Sequence, residues 1–132
     1  MIVLDASVAL ESLLRKPGAV AVDARLFSIG QSMHAPHLLD VEVAQVIRRH
    51  AIKGEITAQR GQSALNDLAE LPIRRYPHEL LLPRIWELRN NLTAYDAAYV
   101  ALAELLNAPL LTLDARLASA AGNSARIELI SV

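Results

Sequence analysis

Short β-like runs alternate with longer helix-patterned segments along this chain, and the alternation restricts the fold more than any other feature. The runs at 2–4, 32–35, 73–76, 110–113 and 127–130 are too brief for helices and read as strands. Between them, the segments 6–14, 20–29, 40–53, 57–71, 79–91, 95–107 and 115–121 carry helical patterning. Breakers fall at the junctions: Pro17-Gly18, Gly30, Pro36, Gly54, Pro72, Pro77, Pro109 and Gly122. Such an α/β order predicts a mostly parallel sheet covered by helices on both faces. With 132 residues and no internal repeat, the chain reads as a single domain, 1–132, able to bury a core without disulfides or a structural metal.

Two helices carry particular patterns. In 40–53 the apolar residues Val43, Val46, Ile47 and Ala51 form one stripe, and Glu42 stands one turn before Val46. Glu42 therefore borders the buried face and is expected to be partly shielded from water. In 95–107 nearly every residue is apolar, with Ala97, Ala98, Ala101 and Ala103 allowing close packing. That helix is expected to be buried on several sides, with Asp96 in its first turn.

Composition removes several classes of function. No cysteine is present, which excludes thiol catalysis, disulfide frameworks and cysteine–zinc sites. A net charge of −1 makes the chain no bulk binder of polyanions, so any contact with nucleic acid must be local. The apolar stretch 97–106 is interrupted by Glu104 and is too short to span a bilayer. The amino terminus shows no basic region followed by a longer apolar one, so a cytoplasmic protein without membrane attachment is expected.

Asp5, Glu42, Asp96 and Asp114 share one setting: each follows an apolar or turn-like stretch and opens a helix-patterned segment. Singly, each has an ordinary explanation. Asp5, Asp40 and Asp114 are placed to cap helices, Thr93-Ala-Tyr-Asp96 has the spacing of a capping box, and Glu42 suits the positive end of a helix dipole. Jointly, the same placement sets the acids along the carboxyl edge of a parallel sheet, where open α/β sheets build their ligand sites. Unit charges about 4 Å apart repel by roughly 4 kcal/mol at an effective dielectric near 20. Converging carboxylates therefore call for a cation, and Mg²⁺ suits them because it takes oxygen ligands and keeps several waters. Ser7 and Thr112 add hydroxyls, and Arg116 adds a cation that could meet a phosphate.

These residues sit in four segments: Ile2-Val-Leu-Asp5-Ala-Ser7-Val-Ala; Pro36 through Glu42-Val-Ala-Gln-Val-Ile; Leu92-Thr-Ala-Tyr-Asp96-Ala-Ala-Tyr-Val-Ala-Leu-Ala; and Leu111-Thr112-Leu-Asp114-Ala-Arg116-Leu. In order and spacing they closely resemble PIN-domain proteins, and in length the VapC-type toxins of bacterial toxin–antitoxin pairs. The match runs from the first residue to about Leu117, with the last strand following in its expected place. The resemblance implies a PIN-like, five-stranded parallel sheet of order 3-2-1-4-5 and a Mg²⁺-dependent endoribonuclease, Mn²⁺ being an alternative metal. Asp5 and Asp96 would then be the metal ligands, with Glu42 and Asp114 acting directly or through water, and Ser7 and Thr112 supporting them. It further implies a VapB-like antitoxin that binds beside the helical arm 40–71, a homodimer, and a hetero-oligomer with the antitoxin.

The remaining residues admit two readings. Arg48, Arg49 and Lys53 are a solvated helix face or, in a nuclease, a grip on RNA phosphates. His34, His37, His50 and His78 lack metal-ligand spacing and read as structural, and Trp86 reads as core or dimer packing rather than a base-stacking platform. Ile52 and Ile56 are expected to be exposed on the arm. Two other functions compete with the nuclease. A catalytically idle interaction module would need no acids, yet all four are retained. A receiver-type phospho-accepting domain also gathers acids around Mg²⁺ but needs a lysine near its last strand, and the lysines here are Lys16 and Lys53.

Overall fold

The computed structural model describes residues 1–120 and 122–131. Its centre is β1 (Ile2–Leu4), whose three residues are all fully buried. Successive strand residues face opposite sides of a sheet, so burial of all three means that both faces are covered. β2 (Met33–Pro36), β3 (Ile73–Tyr76), β4 (Leu110–Thr112) and β5 (Ile127–Leu129) complete a five-stranded sheet of order β3-β2-β1-β4-β5, parallel throughout. Val3 pairs with His34 on one side and Leu110 on the other, and Leu4 pairs with Leu111. The order reverses between β1 and β4: the chain leaves β1 toward β2, whereas β4 leads on to β5. Loops diverging from such a point leave a crevice at the carboxyl ends of the strands.

The helices are α1 (Ala6–Leu13), α2 (Ala19–Leu26), α3 (Leu38–Ile52), α4 (Ala58–Glu70), α5 (Leu82–Glu87), α6 (Ala94–Leu106) and α7 (Ala115–Ala118). None is long and apolar enough to cross a membrane. α6 packs on β1, β2 and β4, and its residues 97–103 are all buried, as its small alanines predict. Each fully buried Leu or Val of this core contributes about 1.5–3 kcal/mol. α3 and α4 form the arm, turning at Gly54, whose φ of +74° favours glycine. At Gly61 a Cβ would lie 3.1 Å from Ile47 Cγ2, so the missing side chain lets the two helices close together.

Five expectations are revised. The segment 79–91 is not one helix: a 3-10 turn at His78–Leu80 is followed by α5, because Pro83 lacks an N–H and is accommodated only in a first helical turn. α3 begins at Leu38, so Asp40 does not cap it; Asp40 instead takes a two-pronged bond from Arg75, at 2.7 and 3.0 Å. Trp86 is not core but 68% exposed, with the Arg89 guanidinium 4.6 Å above its ring. Ile56 is half-buried against the core, while Ile52 is exposed as expected. The expected helix 115–121 ends at Ala118, and its last residue, Ala121, lies outside the described residues.

Candidate active site

Asp5 leaves the end of β1 and caps α1, accepting the Val8 N–H at Oδ1. Ser7 Oγ also donates to Oδ1, at 2.6 Å, and Thr112 Oγ1 donates to Oδ2 at the same distance. Each hydroxyl is held in turn by the backbone beyond β4: the Leu113 N–H donates to Ser7 Oγ and the Asp114 N–H to Thr112 Oγ1. The carboxylate is thus braced on both oxygens across the β1–β4 reversal. Burial pushes the Asp5 carboxyl above its ordinary pKa, against the pull of the bonds from Ser7, Thr112 and Val8.

Glu42 is half-buried on α3, as its place beside the apolar stripe predicts. Its Oε1 accepts the Tyr99 hydroxyl at 2.5 Å. Burial raises its pKa, the Tyr99 bond lowers it, and the charges of Asp96 and Asp5 raise it further. Tyr99 is 2% exposed, and its phenol is pushed far above its usual range by burial and by Glu42.

Asp96 stands in the first turn of α6. Thr93 caps that helix, accepting the Asp96 N–H at 3.1 Å. Asp96 is half-buried, and burial followed by the charge of Asp114 raises its pKa, with Arg116 and Thr93 opposing. Asp114 caps α7. Burial would raise its carboxyl too, but the Arg116 N–H and guanidinium outweigh it and hold the pKa low. Asp96, Asp114, Arg116 and Thr93 line one cleft of about 160 Å³. The structure thus brings Glu42 within electrostatic reach of Asp96 and Asp5, and Asp96 within reach of Asp114.

Comparison with known proteins gives this geometry a family. Residues 2–123 match the PIN domain. The chain belongs to the PIN-domain family. It is 44% identical to Ribonuclease VapC12 of Mycobacterium tuberculosis, across 99% of this chain and 100% of that one. It is 47% identical to Ribonuclease VapC9 of the same organism, across 89% of this chain and 88% of that one. Among solved structures, VapBC2 from Rickettsia felis, bound to a DNA fragment from its promoter, shares the fold with a TM-score of 0.74. That likeness covers 99% of this chain and 100% of the other at 14% identity. The sheet order also sets this PIN domain apart from receiver domains, whose order is 2-1-3-4-5.

The donor set of this PIN domain fits a hard divalent cation. The candidate donors are all oxygens, and three of the four acids are held above their ordinary pKa, largely by burial. Among the described residues, the cation whose charge bears on Asp96 is Arg116, its side chain 90% exposed. Among the described residues no three acids or histidines are close enough to cage an ion. One or two carboxylates with water completing the shell is the manner in which Mg²⁺ is ordinarily held.

Arg48 and Arg49 on α3 and Lys53, the residue that follows it, are exposed and form no ion pair among the described residues. Arg49 is two turns from Glu42 on the same side of the helix, about 10 Å along its axis. The histidines lie outside the acidic group. His34 is buried between Ser32 and Tyr76, His50 pairs with Glu55, and His78 Nε2 accepts the Leu38 N–H at the start of α3. Tyr99 is the site residue that the pattern did not disclose. Its spacing from Asp96 was the available signal, since residues three apart share a helix face.

Proposed function

We propose that this PIN domain is the toxin of a toxin–antitoxin pair, an endoribonuclease that hydrolyses RNA phosphodiester bonds with Mg²⁺, or with Mn²⁺ in its place. In this reading the whole chain, 1–132, works as one domain. The observation that carries it is the group of mutually repelling, partly buried carboxylates at the sheet's order reversal, with Asp5 braced on both oxygens. The ribonuclease names of relatives 44% and 47% identical point the same way.

Asp5 and Asp96 would hold the metal. When bound, it supplies Lewis acidity toward water and a phosphate oxygen. Ser7 and Thr112 fix the orientation of Asp5, so little reorganisation is needed when substrate arrives. Glu42, held by Tyr99 and raised above its ordinary pKa by burial, would accept a proton from the attacking water. Asp114 orients the site through water, and Arg116 beside it offers charge to the phosphate. Arg48, Arg49 and Lys53 meet the RNA backbone along α3. A VapB-like antitoxin binds beside the α3–α4 arm, where Ile52 is exposed, and the toxin pairs as a homodimer within that assembly.

Incubation of the purified protein with total cellular RNA, with and without Mg²⁺, followed by mapping of the cut ends, tests the reading. Discrete cuts that require the metal are expected. Intact RNA under both conditions would leave the idle interaction module as the better account.

A further inference from the structure

A glutamate side chain on a helix has three rotatable bonds and two equivalent oxygens. A proton acceptor of that kind is effective only when one oxygen is kept facing the reacting group. Glu42 is not left free. Its Oε1 takes the hydroxyl of Tyr99 at 2.5 Å, and its Oε2 has no hydrogen-bond partner among the described residues. The donor is immobile: Tyr99 is 2% exposed and lies within the run of α6 buried from 97 to 103. It also follows Asp96 by one helical turn, on the same face of α6.

The geometry points to Tyr99 as a positioning residue for hydrolysis, an inference that rests on the ribonuclease reading above. By occupying Oε1, Tyr99 leaves Oε2 as the oxygen that receives the proton. By standing on the helix that carries Asp96, it ties the placement of Glu42 on α3 to that of Asp96. In the step concerned, an O–H bond of water breaks and its proton passes to Glu42 Oε2 as the new O–P bond forms. The P–O bond to the departing nucleotide breaks, and that oxygen takes a proton from solvent. A tyrosine placed only to fill the core would also seek a partner for its hydroxyl. It would have no reason to affect turnover separately from stability.

The test is a double-mutant cycle of Tyr99→Phe and Glu42→Gln in the full chain with Mg²⁺. The substrate is an RNA oligonucleotide carrying a cut site mapped from total RNA. Tyr99→Phe is expected to lower kcat by about tenfold with KM changed by less than about twofold. In the Glu42→Gln background it should lower kcat no further, because its effect passes through Glu42. Melting curves give a readout independent of activity: Tyr99→Phe should melt cooperatively and keep the rise in Tm that Mn²⁺ gives the wild type. An unchanged kcat, losses that multiply in the double variant, a lost Mn²⁺ response or a failure to fold each overturns the inference. A wild type that cuts nothing with either metal overturns the ribonuclease reading and this inference with it. An active wild type matched by Tyr99→Phe overturns this inference alone.

Discussion

Thr112 donates its hydroxyl to Asp5 Oδ2 at 2.6 Å and accepts the Asp114 N–H at 3.0 Å, so one buried side chain joins two of the acids. Thr112→Val keeps the shape but leaves a carboxylate oxygen and a backbone N–H without partners. A loss of about 1–3 kcal/mol is expected, measured by urea unfolding. Thr112→Ser should recover most of it. Equal losses in the two variants would show that the methyl group matters and the hydroxyl does not.

Asp96→Asn separates charge from architecture. Thr93 caps α6 by accepting the Asp96 backbone N–H, which the substitution leaves in place. The lost charge is one that Asp114 repels and that in turn raises Glu42. The folded protein should therefore melt at the same temperature or slightly higher, while RNA cleavage falls about a hundredfold or more. Full cleavage by a folded Asp96→Asn protein would remove Asp96 from the metal site.

The pH dependence of stability follows from three raised carboxyls. Asp5, Glu42 and Asp96 hold protons more tightly in the folded state than in the unfolded chain. Between the ordinary carboxylate range and those higher folded values the native state binds more protons, so stability falls as pH rises through that window. Metal-free wild type should accordingly lose Tm as pH rises above the ordinary carboxylate range, relative to an Asp5→Asn/Asp96→Asn variant. Mg²⁺ at pH 7 should restore the wild type and leave the variant little changed, since a ligand of the folded state stabilises only where it binds. Scanning fluorimetry over this range decides the matter, and parallel curves for the two proteins would contradict the account.

Glu104 titrates in the opposite sense. Arg84 grips its carboxylate at 2.7 and 2.9 Å, Ser124 adds two further bonds, and the pKa is lowered to about 2. This contribution is present above the ordinary glutamate value and is lost as pH falls toward about 2. Glu104→Gln should cost about 1.5–3 kcal/mol near neutrality and much less in acid. Because the Ser124 bonds fasten the segment after α7, limited proteolysis should also cut the variant faster there.

Period and punctuation made the sheet legible, because β1 is a short unbroken apolar run buried on both faces and most prolines and glycines fall between elements. Asp5 and Asp114 were legible because capping a helix and lining the carboxyl edge of a sheet place a residue alike. What failed depended on partners far away in sequence. Asp40 has the right neighbours for a cap, but Arg75 claims its carboxylate, and His78, 40 residues on from Leu38, accepts that residue's N–H. Tyr99 passed for one more core position, since the carboxylate that takes its hydroxyl lies 57 residues away. Trp86 sits in an amphipathic pattern that fits burial and exposure equally well. The fold follows from local patterns, whereas the finer wiring of the site follows from contacts that exist only once the sheet has formed.

Pairing between β1 and β4 also sets a clock. The bond from Thr112 to Asp5 spans 107 residues, so a ribosome that has just made Asp5 must continue for about 5–20 s, at roughly 5–20 residues per second, before Thr112 exists. Until then β1 lacks one of its two neighbours, and Asp114 and its helix have not been made. A nascent chain therefore cannot brace Asp5 on both oxygens before Thr112 has been translated. In this reading, the RNA of the ribosome that makes the protein is exposed to it only once Thr112 has been added and paired with Asp5.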